Sequence, residues 1–162
     1  MIQTELTRQL RCKAPIVQTA MGWVADAGLV IASTRAGAFG FLAGATIEPN
    51  DLEPQILQVK SAVGTNFGLN FHMFQENAED CIRLAIAHGL RAVSYGRGPD
   101  AQTIARLKDA GVLCIPTVGA VEHAVKAEKL GADLITIQGS EGGGHTGRVP
   151  SSILLPQVLD AV

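Results

Sequence analysis

Aromatic residues make up only 4% of this chain, with one Trp and one Tyr, and charged residues only 17%. No block of Lys or Arg occurs and the formal net charge is -2, so the electrostatic footprint of a nucleic-acid or anionic-membrane binder is missing. The three cysteines, Cys12, Cys81 and Cys114, lie far apart with no C-x-x-C pair. That spacing supports neither a zinc site nor a dithiol redox pair, and Cys81 and Cys114 read as small buried hydrophobes of a reducing compartment. No apolar run is long enough to cross a bilayer, and Met1 to Glu5 lack the basic and apolar segments of a signal peptide. P-loop, H-E-x-x-H, G-x-S-x-G and EF-hand patterns do not occur. The expectation is a soluble, cytoplasmic protein that works on a small molecule.

What remains is aliphatic. Of 162 residues 47% are hydrophobic and 18 are glycine, a composition that suits buried parallel strands joined to helices by tight turns. The length fits a single domain, residues 1–162.

One pattern repeats along the chain. Short apolar runs predict strands at Ile16–Ala20, Phe39–Ala43, Phe67–Phe71, Ala92–Tyr95, Leu113–Val118 and Leu134–Gln138. Amphipathic stretches between them predict helices, such as Asn77–His88, Asp100–Ala110 and Val121–Leu130. In the second of these Ile104, Leu107 and Ala110 share a face, while Arg106, Lys108 and Asp109 point to water. Gly37, Gly64, Gly89, Gly111 and Gly131 stand where left-handed helix C-caps are needed. Strand–helix alternation implies a parallel sheet, either doubly wound and open or closed as a barrel. Its even rhythm, without topological reversal, favours the barrel. In both forms ligands bind at the C-terminal ends of the strands.

The polar residues at those ends are the candidates. After the first strand comes Gln18-Thr19-Ala20-Met21-Gly22-Trp23, by itself an ordinary βα turn, although a methionine and a glycine also suit a flat ligand. Asn70 interrupts the apolar run Phe67–Phe71, and its amide needs either neighbouring backbone or a ligand edge. His72 follows on the same rim and reads as solvated. The last strand leads into Gln138-Gly139-Ser140-Glu141-Gly142-Gly143-Gly144-His145-Thr146-Gly147-Arg148. Its glycines free the backbone to present N–H groups to a ligand, and His145 places a group titrating near neutrality on that loop. His88, before Gly89, reads as a complement to a helix dipole, and His123 carries no signal. Gly142 to Gly147 also matches G-x-G-x-x-G, but Arg148-Val149-Pro150 intervenes before any helix, so it is no dinucleotide fingerprint.

Pro15 to Gly22, then Phe67-Gly68-Leu69-Asn70, then Gln138 to Gly147 resemble, in that order, the nitronate monooxygenase (2-nitropropane dioxygenase-like) family, which includes flavin-dependent enoyl-ACP reductases. The stretch from Gly142 to Gly147 with the tail Leu154 to Val162 looks closest to an actinobacterial branch that includes reductases of CoA thioesters in steroid-ring breakdown. The likeness implies an FMN-dependent (β/α)8 (TIM) barrel that oxidises alkyl nitronates with O2 to a carbonyl compound and nitrite. The alternative it implies is an NAD(P)H-dependent flavin reductase of an unsaturated acyl thioester. Met21, Gly22, Asn70, Gln138, Gly143 and Gly144 would contact the flavin, and His145 would be the catalytic residue. Gly142 departs from the alanine of many members and is expected to matter little.

A complete barrel of this type takes about 250 residues, with the cofactor phosphate held after strands seven and eight. Six βα units and a helix-like tail, Ser151–Val162, are expected here, so the barrel reads as incomplete. Ile16, Leu42, Leu69, Ile115 and Ile135 are expected to face its interior. Such a chain is expected to self-associate, and a catalytically inactive fragment is the remaining alternative.

Overall fold

A computed structural model describes residues 2–98, 101–144 and 146–162. A short helix α1 (Glu5–Leu10) precedes strand β1 (Val17–Gln18), α2 (Ala27–Arg35) and β2 (Phe39–Leu42). The alternation continues with α3 (Pro49–Val63), β3 (Gly68–His72), α4 (Ala78–Ala87), β4 (Ala92–Gly96) and α5 (Ala101–Asp109). It ends with β5 (Leu113–Val118), α6 (Val121–Lys129), β6 (Thr136–Ile137) and α7 (Ser151–Leu159). The six strands form one sheet in the order β1-β2-β3-β4-β5-β6, every pair parallel.

The expected helices and strands are present, with their ends shifted by a residue or two; Asp100, the expected start of one helix, lies outside the described residues. The outermost strands are much shorter than expected. Ile16–Ala20 pairs only over Val17–Gln18, and Leu134–Gln138 only over Thr136–Ile137, because each has a neighbour on one side only. All five glycines at the helix exits have positive φ, from +62° at Gly89 to +97° at Gly37. α1, which the apolar pattern does not announce, begins with a capping box in which Thr4 and Thr7 exchange hydrogen bonds.

The two faces of the sheet are covered differently, and this decides between barrel and open sheet. Leu69, Phe71, Val93, Tyr95 and Cys114 share one cluster with Val30 of α2, Ile56 of α3, Ile82 of α4 and Leu107 of α5. Val118 packs with Ala124 of α6 and Leu154 of α7, together with the partly buried Ile137. The crossover helices therefore lie on one face, as in a barrel and unlike a doubly wound sheet. The opposite face holds Phe39, Phe41, Ala92 and Ile115, plugged at the N-terminal ends of the strands by Leu10 of α1. Arg91 secures that plug by donating from Nε and from Nη2 to the Gln9 carbonyl at 2.8 and 2.6 Å.

Strand parity corrects most of the expected interior. Leu42 and Leu69 belong to the sheet–helix layer, Ile135 packs beside α6 and α7, and Ile16 is 60% exposed outside the strand; Ile115 alone lies on the inner face. The strands are apolar on both faces, so composition does not reveal which alternate residues turn inward, and a one-residue error inverts the whole set. Gly68 settles the matter physically. A Cβ there would run into the Phe41 ring, so the glycine makes room for an inward-facing aromatic on the neighbouring strand.

Cys81 and Cys114 are buried, and burial pushes both thiols up to about 12, which keeps them inert as expected. Among the described residues no helix is long and apolar enough to cross a membrane.

Candidate active site at the C-terminal rim

Read along each strand, the inner face changes character. Parity and register place Gly68, Asn70 and His72 of β3 beside Ala92, Ser94 and Gly96 of β4, then Leu113, Ile115 and Thr117 of β5. Leu134, Thr136 and Gln138 continue the series along the last strand. The N-terminal members are small or apolar, whereas the C-terminal members, Gly96 apart, are Asn, His, Ser, Thr and Gln. A barrel interior that served only packing would stay apolar throughout. Polar groups turned inward at the C-terminal end are the makings of a ligand site.

Asn70 is tied across the sheet, its Nδ2 donating to the Ser94 carbonyl at 3.1 Å and to the Ser94 hydroxyl at 3.3 Å. Ser94, which sequence reading did not single out, is only 8% exposed. The two demands left open for Asn70, neighbour or ligand, are thus divided. Its donor serves the neighbouring strand, and Oδ1 is the acceptor that the amide carries beside it.

Gln138 anchors the loop above the mouth. Its backbone N–H extends the β5 pairing to the Val118 carbonyl at 2.8 Å, and its Nε2 donates to the Gly143 carbonyl at 2.5 Å. The loop is closed at its base, where Ser140 N–H donates to the Val149 carbonyl at 3.0 Å. Both Glu141 carboxylate oxygens accept from Ser151 N–H, at 3.0 and 3.1 Å, and cap α7 from outside its own sequence. Hydrogen bonding from the Ser151 hydroxyl, and less from the Glu141 and Ser151 backbone N–H groups, holds the Glu141 carboxyl below its ordinary value. Gly119 and Gly147 meet backbone to backbone, since a Cβ on Gly147 would sit 2.6 Å from the Gly119 carbonyl oxygen.

Gly143 and Gly144 are exposed, and a Cβ on either would meet nothing within 4 Å. Their N–H groups belong to an open, side-chain-free stretch, with Gly144 at φ +73°. Gly142 is more constrained than its family departure suggests: an added Cβ would lie 2.8 Å from Gln138 Cγ and 2.9 Å from its Nε2. His145 lies outside the described residues.

Met21 and Gly22 sit on the loop after β1, on the same end of the sheet, with Met21 42% exposed. Gly22 is pressed against a side chain, its virtual Cβ lying 3.1 Å from Thr46 Cγ2. Asn70, Gln138 and Met21 thus share one rim. A cavity of about 210 Å³ opens there between β5 and the glycine loop, lined by Thr117, Val118, Gly119, His123, Gln138, Thr146 and Gly147. It is smaller than the ~300–1,000 Å³ of most ligand sites. Among the described residues no group of His, Cys, Asp and Glu could hold a metal ion.

Helices on one face and a polar C-terminal rim on the other define a (β/α)-barrel protein with a candidate site at the strand ends. The chain belongs to the nitronate monooxygenase family, whose model matches residues 3–162. It is 46% identical, over 99% of its length and 45% of the relative's, to the (3aS,4S,5R,7aS)-5-hydroxy-7a-methyl-1-oxo-octahydro-1H-indene-4-carboxyl-CoA dehydrogenase of Mycobacterium tuberculosis. FabK from Thermotoga maritima superposes with a TM-score of 0.94 at 29% identity, covering 100% of this chain and 52% of that one. Nitroalkane oxidase from Streptomyces ansochromogenes gives a TM-score of 0.88 at 29% identity, over 98% of this chain and 58% of that one. The chain thus spans about half the length of these proteins.

Proposed function

We propose that this chain belongs to an FMN-dependent oxidoreductase that oxidises alkyl nitronates with O2 to a carbonyl compound and nitrite. The observation that carries the reading is the inward turn of Asn70, Ser94, Thr117, Thr136 and Gln138 at the strand ends, beneath the open Gly143–Gly144 stretch. An interior polar on one rim and apolar below would suit a planar, heteroatom-edged cofactor ring. FMN, when bound, supplies the acceptor for the substrate's electrons.

The residues have separable tasks. Asn70, its amide donor held by Ser94, meets a ligand as an acceptor through Oδ1. Gln138 fixes the loop through Gly143, so that Gly143 and Gly144 present backbone instead of side chain. Met21 and Gly22 close the β1 side of the mouth. His145 binds the nitronate anion or takes the α-proton of a neutral nitroalkane.

A second reading rests on a specific observation, the 46% identity to a dehydrogenase of a carboxyl-CoA thioester. In that reading the same rim holds an acyl thioester, with NAD(P)H as electron donor where the reaction is a reduction. One set of assays on the full-length protein separates them: nitrite released from propyl nitronate, NAD(P)H consumed with an unsaturated acyl-CoA, and flavin identified after denaturation. Purified protein without flavin, or with neither activity, would overturn the proposal.

A further inference from the structure

His72 does not behave as a solvated rim residue. It is half-buried on the inner face, one pleat beyond Asn70 and level with Gly96 of β4. A Cβ on Gly96 would lie 2.8 Å from His72 Nδ1, so the imidazole lies in the notch that the glycine leaves. The Phe74 ring stacks on it, with centroids 5.4 Å apart and planes 19° off parallel, and the Arg97 guanidinium sits 5.0 Å from the Phe74 centroid. The surrounding loop is fixed by backbone and amide bonds. Gln75 Oε1 accepts from His72 N–H at 3.0 Å, and Gln75 Nε2 donates to the Ala45 carbonyl at 3.1 Å. A glycine notch, an aromatic backing and a nearby guanidinium hold a ring that packing alone does not require at a barrel mouth.

We propose that His72 is a second substrate-binding imidazole, distinct from His145, which donates a ring N–H to a substrate oxygen that bears negative charge. The inference rests on the reading of the rim as the active site. The oxygen belongs to a nitronate or to a thioester carbonyl that gains enolate character; the chemistry recognised is the same. Arg97, over the Phe74 ring, adds positive charge on the same side, which suits an anionic oxygen.

The test is calorimetric titration of the full-length protein with nitrate, a planar oxyanion, and with acetoacetyl-CoA, a thioester. Flavin content is measured separately, so failure of the redox reading shows as absent FMN and failure of this inference shows in the titrations. His72→Ala is expected to weaken at least one probe about ten-fold or more, the range of a hydrogen bond to a charged group. His72→Gln, which keeps an N–H donor, should recover part of that loss. A loss with nitrate alone assigns a nitronate-type oxygen, and a loss with acetoacetyl-CoA alone assigns a thioester. Gly96→Ala, which displaces the ring without removing it, should weaken binding when His72 is present and add nothing in the His72→Ala background. Unchanged affinities for both probes, or an equal effect of Gly96→Ala in both backgrounds, would overturn the assignment.

Discussion

Asn70 and Ser94 are paired across β3 and β4, the Asn70 amide donating to both the carbonyl and the hydroxyl of Ser94. The pair stiffens the sheet just below the rim and orients an amide that would otherwise rotate freely. Removing one partner of a part-buried hydrogen bond costs about 1–3 kcal/mol, whereas the net worth of the bond is nearer 1 kcal/mol. Asn70→Leu should therefore destabilise by about 1–3 kcal/mol and Ser94→Ala by about 0.5–1.5 kcal/mol, as read from urea midpoints. Asn70→Leu, which removes Oδ1 together with the donor, should also lower the FMN content of the full-length protein. Full flavin occupancy in Asn70→Leu would exclude a cofactor contact there.

His145→Ala in the full-length protein should retain flavin and lose turnover by about 10²–10⁴-fold, the range of a general acid–base group. Steady-state rates within a few-fold of wild type would refute its catalytic role.

Gly139 is the tightest glycine of the loop. A Cβ there would collide with Ser151 N and would lie 2.5 Å from Glu141 Oε2, the cap of α7. Backbone cannot yield as a side chain can, so Gly139→Ala should cost about 1–3 kcal/mol. Gly142→Ala meets chiefly the flexible Gln138 side chain and should cost less. Thermal melts of the two variants in parallel check the order.

The Glu141 cap predicts a pH dependence with a definite sign. Its carboxyl is held below its ordinary value chiefly by hydrogen bonding with Ser151. The native state thus favours the ionised form. Its contribution is present above the unfolded glutamate value of about 4.3 and is lost as pH falls through the lower, folded value. Amide exchange at Ser151 should accelerate as pH falls below about 4.3, relative to the intrinsic rate, and Glu141→Gln should abolish that change. An identical profile in the variant would remove Glu141 as the cause.

Two sheet edges, at β1 and β6, carry unpaired backbone groups, and the large apolar side chains of Ile16 and Val17 at β1 and of Leu155 and Leu159 in α7 are exposed. The 162-residue chain alone is expected to self-associate and to purify without colour. A monodisperse monomer by light scattering with stoichiometric flavin absorbance would contradict this.

The sequence by itself determined the alternation of strands and helices, because local apolar period and glycine C-caps act within a few residues. Gly37, Gly64, Gly89, Gly111 and Gly131 all take the positive φ that their positions imply. It also marked the rim residues Asn70 and Gln138, since an amide in an apolar run demands a partner whatever the fold. Only the tertiary structure decided which strand residues turn inward. Leu42 and Leu69 went to the helices, and Ser94 and His72 came to the mouth. The reason is that β2, β3 and β4 are buried on both sides, so hydropathy does not distinguish their faces. The choice is made by contacts between distant segments: Phe41 filling the space that Gly68 vacates, and His72 the space beside Gly96.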